Sequence, residues 1–269
     1  MRDAARRAVA ELEAHARPAG TFDASRYFRA DEAMEFLNTG TTFVRALARA
    51  IADEHRDDWS IREAVAFANR LIADTRLEVK GVGLELLARY RRQLTPALLP
   101  TFKRWLSANH CANWATTDTL CGSIIGPLVL AFPELVSAIA SWTRHRNLWV
   151  RRAAAVSLIK SAARGHALDA AYDVATALRS DEHDLIHKAV GWLLREAGKT
   201  DAARLDRYLR DFGPEIPRTT VRYAIERFPI GRRQELLIAT RRVRPTASQP
   251  GRSGSVTTRR RPGRTTAKG

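Results

Sequence analysis

Val150-Arg-Arg-Ala-Ala-Ala155 reads as a helix start with a basic residue followed by small ones, and the arrangement returns along the chain. Val79-Lys80-Gly-Val-Gly-Leu84, His187-Lys188-Ala-Val-Gly-Trp192 and Val221-Arg222-Tyr-Ala-Ile225 have the same form. Arg152, Lys188 and Arg222 follow one another at nearly even intervals, and Lys80 precedes Arg152 by two such intervals. The missing copy falls near Asp118, where an acid replaces the base. The period, roughly 34 to 38 residues, is that of stacked helical pairs. Without the tetratricopeptide Trp, Gly and Pro signature it fits HEAT-like repeats. Small residues after the basic position let neighbouring helices approach, and the basic positions are expected to line one face.

The rest of the chain agrees. Ala, Leu, Arg and Glu dominate, and period-two alternation is absent. Breaks fall at Pro18-Ala-Gly20, Asn38-Thr-Gly40, Asp57-Asp58, Thr95-Pro96, Ser107-Ala-Asn109, Gly165 and Gly213-Pro214. Ser60-Ile-Arg-Glu63 is a capping box, and Pro96 suits a first helical position. Segments of about 12 to 18 residues are expected between breaks. The architecture this implies is all-α, an α-solenoid of about six HEAT-like helical pairs with a concave basic face, over residues 1–240. Residues 241–269 hold Gly, Pro, Ser, Thr and Arg with almost no aliphatics, and are expected to be a disordered basic tail.

Charge narrows the function. The 269 residues carry a net charge of +16, with 45% apolar and 28% charged residues. The tail from Arg241 has nine Lys or Arg and no acid, so the remaining net charge, +7, belongs to 1–240. A repeat domain basic in its own right favours a polyanion such as nucleic acid. A membrane surface would call for a Lys-rich amphipathic helix with aromatic anchors, which the chain lacks. The start Met-Arg-Asp-Ala-Ala-Arg-Arg has no secretory pattern, and the apolar stretch Ile124–Phe132 is too short to cross a bilayer. A cytoplasmic, nucleoid-associated monomer is expected. Cys111 and Cys121, the only cysteines, match no structural metal spacing even with His110 beside them, so no metal or cofactor is expected.

Four residues stand out on successive repeats. Trp114 and Asp118 are four apart and share a helix face; Arg152 follows Asp118 by about one repeat, and Trp192 follows Arg152 by about another. Asn113 is the better cap for the helix from Trp114, which puts Asp118 in a helix interior, where aspartate is disfavoured. Local propensity does not account for it. A leaving group that already carries positive charge departs neutral, so its release needs no second, acid carboxyl of the kind glycoside hydrolases use. One ionised carboxylate can stabilise an oxocarbenium-like sugar and hold the attacking water. Indole faces favour a cationic group, and an Arg can grip a phosphate in two-pronged fashion.

These segments resemble the bacterial DNA alkylation-repair glycosylases of the AlkD type. The specific part is 109–200: Asn113-Trp114 through Asp118, Phe132-Pro-Glu-Leu135 followed by Trp142, Asn147-Leu-Trp149-Val-Arg-Arg152, and Lys188-Ala-Val-Gly-Trp192-Leu-Leu-Arg-Glu196. The resemblance implies HEAT-like repeats and excision of N3- and N7-alkylated purines from double-stranded DNA. It makes Asp118 the catalytic carboxylate, Trp114 and Trp192 the aromatic walls, Arg152 a DNA-backbone contact, and Tyr27 a further contact in the first repeat. It also implies action at the exposed backbone, without a deep base pocket. Two rivals remain: a HEAT-repeat scaffold for protein partners, whose Trp residues would be buried, and a DNA-binding relative without activity. Gly81-Val-Gly83 lacks the Leu-Pro of a helix-hairpin-helix and falls inside a repeat helix.

Deleting 241–269 removes nine diffuse charges. It should flatten the dependence of DNA affinity on salt, each lost phosphate neutralisation contributing about 0.9 to the log–log slope. Single-turnover activity at saturating protein should survive, because 1–240 keeps all four residues; fluorescence-anisotropy titrations at several salt concentrations, with a parallel activity assay, check both.

Overall fold

The computed structural model describes residues 1–20, 28 and 34–241. Tyr27 and the expected tail beyond Arg241 lie outside the described residues. The chain runs through α1 (Arg2–Ala14), α2 (Thr41–Glu54), α3 (Ile61–Leu71), α4 (Leu77–Arg89), α5 (Leu99–Ser107), α6 (Trp114–Leu120) and α7 (Gly126–Ala131). It continues through α8 (Val136–Ser141), α9 (Leu148–Val156), α10 (Ile159–Ala162), α11 (Leu168–Ala177), α12 (Asp184–Ala197), α13 (Ala202–Phe212), α14 (Arg218–Ala224) and α15 (Ile230–Ala239). There is no strand among the described residues beyond one isolated bridge, Glu35 to Arg76.

The helices stack in two layers, the arrangement of an α-solenoid. α2, α4, α6 with α7, α9 with α10, α12 and α14 pack successively against one another as a row. α1, α3, α5, α8, α11 and α13 pack against that row as a second layer, and α15 closes on α13. The core between the layers is one cluster from Ala4 to Leu236, filled by Phe67, Leu87, Phe102, Trp105, Ile124, Val150, Leu193 and Leu209. Most of the helices are shorter than the sequence suggests, from 4 residues in α10 to 14 in α2. Proline is one reason: Pro96 and Pro133 open 3-10 turns that split segments of the second layer.

The start signals hold. Ser60 and Glu63 close a capping box on α3, and Asn113 accepts from the Thr116 amide to cap α6. The recurring basic residues do not form an exposed stripe, and that expectation is corrected. Lys80 is buried, donating to the carbonyls of Ile72 at 2.7 Å and His110 at 2.8 Å. Arg152 is buried as well, Lys188 pairs with Asp184 on its own helix, and only Arg222 is exposed. A buried cation needs acceptors, and the C-terminal ends and loops of neighbouring helices offer free carbonyls. The periodic basic position is therefore in part a device for joining repeats.

Gly191 shows how closely the helices of the row pack. A Cβ there would collide with the Tyr223 Cβ and sit 2.8 Å from the Thr220 carbonyl oxygen of α14. Gly191→Ala should therefore destabilise the protein by about 1–3 kcal/mol, the usual cost of overpacking, although alanine is the better helix former. Urea denaturation would register this as a lower midpoint with an unchanged slope.

Candidate active site

The site begins at α6. Asn113 fixes the helix start, which leaves Trp114 at the first turn and Asp118 one turn further on the same face. Arg152 reaches Asp118 from α9: its Nε donates to Oδ1 and its Nη2 to Oδ2, each at 2.8 Å. Its Nη1 donates to the carbonyl of Leu185, at the start of α12. One side chain thus joins α6, α9 and α12. Arg152 is 5% exposed, whereas the Asp118 side chain keeps 17% of its surface open. The carboxylate is held from inside, on a side chain that is not wholly closed to solvent.

Burial pushes the Asp118 carboxyl above its ordinary value of 3.8, and the hydrogen bonds and charge of Arg152 pull against that shift. Arg152 does not stand at the surface as a phosphate clamp, since all three of its nitrogens are engaged within the protein. What it does instead is hold the carboxylate of this site in a fixed orientation.

The tryptophans divide in a telling way. Trp59, Trp105, Trp142 and Trp149 are buried in the core, whereas Trp114 and Trp192 are only half-buried. Phe28 stacks on Trp114, with ring centroids 5.4 Å apart and planes 19° from parallel. Trp192 lies on α12, about two helical turns beyond the Leu185 carbonyl that Arg152 holds. Tyr27 lies outside the described residues; its neighbour Phe28 is the aromatic residue that meets Trp114, and the sequence pattern does not single it out.

A second feature without a clear sequence signal adjoins the site. After α6 the helix widens into a π-helical turn, Cys121–Ile125, before α7 opens on Gly126-Pro127. In that turn the Gly126 amide bonds to the Cys121 carbonyl, five residues back. The Gly122 carbonyl would need the amide hydrogen of Pro127, which has none. Lys160 of α10 supplies the donor instead, at 2.9 Å. With Arg91 and Arg164 it lines a groove that also takes in Ser123, Pro127 and Glu85, whose carboxylate is engaged by Arg45. Burial and the neighbouring charges of Arg164 and Arg91 lower the Lys160 pKa. None of the three cations makes an ion pair among the described residues. Lys160 stands eight residues after Arg152, a spacing that keeps one helix face and could have flagged it; nothing in the sequence joins Arg91 to them.

The described residues contain no group of three or more His, Cys, Asp or Glu able to hold a metal ion. Cys111 and Cys121 are buried and unpaired, and burial pushes the Cys111 thiol up to about 12, so it stays protonated.

With this geometry in view, likeness to known proteins sharpens the class. The family of DNA alkylation repair enzymes matches residues 8–228, and the chain belongs to it. Its role is therefore in the repair of alkylated DNA, with DNA as its substrate. A solved structure described as a predicted DNA alkylation repair enzyme from Enterococcus faecalis shares the fold, with a TM-score of 0.66 at 17% identity. The alignment covers 82% of this chain and 96% of that one. No match was found among curated proteins.

The Asp118–Arg152 pair carries an energetic consequence. Arg152→Leu leaves a largely buried carboxylate without its partner and should cost about 3–5 kcal/mol. Removing both charges in Asp118→Leu/Arg152→Leu should cost less than the sum of the single changes. Equilibrium denaturation of the four proteins in a double-mutant cycle measures the coupling.

Proposed function

We propose that this protein is a DNA glycosylase that releases N3- and N7-alkylated purines from double-stranded DNA by hydrolysing the N-glycosidic bond. The observation that carries the proposal is Asp118: a largely buried carboxylate in a helix interior, oriented by a two-pronged Arg152 contact on a side chain not wholly closed to solvent, with half-buried Trp114 on the same helix face. In the reaction the N-glycosidic bond breaks with its electron pair passing to the cationic purine, which leaves neutral. Water adds to C1′ and gives up a proton to solvent. Asp118 stabilises the positive sugar between these events, and each of its oxygens keeps a lone pair not used by Arg152.

Arg152 acts through Asp118 as a positioning residue, limiting the reorganisation left at the moment of reaction. Trp114 and Trp192 offer indole surface to sugar and cationic base, an attraction on the order of 1–2 kcal/mol when desolvated. Arg91, Lys160 and Arg164 take over the phosphate-holding part. Three cations that line one groove without ion-pair partners among the described residues repel one another, and a phosphodiester relieves that repulsion. Their groove begins about one turn beyond Asp118 along the same helical run, close enough for one DNA strand to meet both. The protein would act as a monomer in the compartment that holds the DNA. A protein-binding scaffold would not need two half-buried tryptophans on the row of helices that carries an oriented acid.

Asp118→Asn keeps shape while removing charge, and should lower single-turnover release of N7-methylguanine from duplex DNA roughly 10²–10³-fold with little change in DNA affinity; unaltered release would end the assignment. The pH profile adds a second signature. The active form is ionised, so release should rise with pH through an acid limb lying above the ordinary carboxylate value of 3.8. Because Arg152 pulls that limb down, Arg152→Met should move it to higher pH, a shift that damage to folding alone does not produce.

A further inference from the structure

The edge of the row on which Trp114 lies carries a second basic cluster, apart from the groove of Arg91, Lys160 and Arg164. It is built by α5 and the loop before α9. Asn147, the cap of α9, donates from its side-chain amide to Asn109 Oδ1 at 2.8 Å, which ties this loop to the one that precedes Trp114. Lys103 of α5 stands over the Trp142 ring, 5.9 Å from its centroid. Burial, and then the charges of Lys103, Arg146 and Arg151, lower the His145 pKa, so these four side chains share one small region.

Charge in that region is unbalanced. Arg151 is engaged by Asp181 at 2.6 Å and by the carbonyls of His145 and Arg146. Half-buried Lys103 and exposed Arg146 make no ion pair among the described residues. The Asn147 amide donates to His145 Nδ1 at 3.0 Å, which fixes the neutral ring as its Nε2–H form. Two cations and one imidazole donor then meet without a carboxylate of their own. Such a set suits the charged acceptor oxygens of phosphodiesters.

Position gives the cluster its meaning. α9 and α10 form one nearly continuous run, because Ser157 and Leu158 between them keep right-handed helical backbone. At 1.5 Å per residue, Asn147 lies about 8 Å to one side of Arg152 and Lys160 about 12 Å to the other. The acid that Arg152 holds therefore sits between two sets of cations. C1′ of a nucleotide faces a groove of the duplex, so a carboxylate that reaches it has one backbone on either side. Grooves of about 6 and 12 Å separate those backbones, and the long Lys and Arg side chains make up the remainder.

We infer that Lys103, His145 and Arg146 hold phosphodiesters of the strand opposite the one bound by Arg91, Lys160 and Arg164, so that the protein grips both strands with Asp118 between them. The inference deepens the glycosylase reading and rests on it for which strand carries the reacting sugar. The grip on two strands is tested without base release.

The test uses the full chain and two undamaged duplexes, one fully charged and one in which methylphosphonate linkages make a single strand neutral. On the charged duplex, Lys103→Gln/Arg146→Gln should bind about tenfold more weakly near 0.1 M salt and lower the salt slope by about 1.8, for two phosphates. Arg146→Gln alone, at an exposed position, should give about half that change in slope, which guards against a fold disturbed at the Lys103–Trp142 contact. On the half-neutral duplex the groove, with three cations against two, takes the charged strand and leaves the cluster facing the neutral one. There the double variant and the wild type should bind within about twofold of each other.

A double variant that loses as much affinity on the half-neutral duplex as on the charged one puts both sites on one strand and overturns the inference. So does a double variant that binds both duplexes like the wild type. Release of N7-methylguanine at saturating protein is measured on the same proteins. Release without the strand pattern defeats the two-strand grip and leaves the glycosylase reading standing. The strand pattern in a protein that releases no base defeats the glycosylase reading and leaves the two-strand grip standing.

Discussion

The pair between Asp118 and Arg152 is the constraint around which the site is arranged. A carboxylate placed this far out of water is unfavourable unless a cation and hydrogen bonds replace its hydration, and Arg152 supplies both from the next repeat. The guanidinium in turn is buried, and its remaining nitrogen is satisfied by the Leu185 carbonyl of the repeat after that. Each group makes the other tolerable, so the two are one structural unit. Because the unit spans α6, α9 and α12, the spacing of those helices fixes where the carboxylate lies.

That arrangement accounts for an otherwise awkward helix. An aspartate in the middle of α6, a π-helical turn after it and a proline at the next helix start all weaken local helical order. Two of these are compensated from another repeat: Arg152 partners Asp118, and Lys160 reaches the Gly122 carbonyl left open by Pro127. Such local irregularity, stabilised by tertiary contacts, is what a functional segment shows when its neighbours hold it in place. Lys160 also brings its charge to the groove shared with Arg91 and Arg164, so the same compensation leaves a cation at that surface.

The six tryptophans give an independent reading of the same surface. Four are core residues, as indoles in helical proteins commonly are. The two at Trp114 and Trp192 are left half-buried on the row of helices that carries the acid. Membership of the DNA alkylation repair enzymes supplies the substrate class, and the distribution of indoles and cations favours that row of helices for contact with it.

Sequence periodicity alone determined the helical repeats, because burying one face of each helix against the next imposes a spacing that a linear reading can count. The Asn113 cap, the Ser60–Glu63 box and the shared face of Trp114 and Asp118 were legible for the same reason: they involve residues within about one turn of each other. What the tertiary structure decided is everything that crosses repeats. Arg152 reads in sequence as a surface phosphate contact, since nothing in a linear pattern tells which partner an arginine one repeat away will find; in the fold it turns inward to Asp118. Lys80 reads as part of an exposed stripe and is buried on carbonyls for a like reason. Phe28 against Trp114 and the three cations of the groove come from segments far apart in the chain. The physical reason is that desolvation and charge pairing depend on distances in space, and those are set only once the rows have stacked.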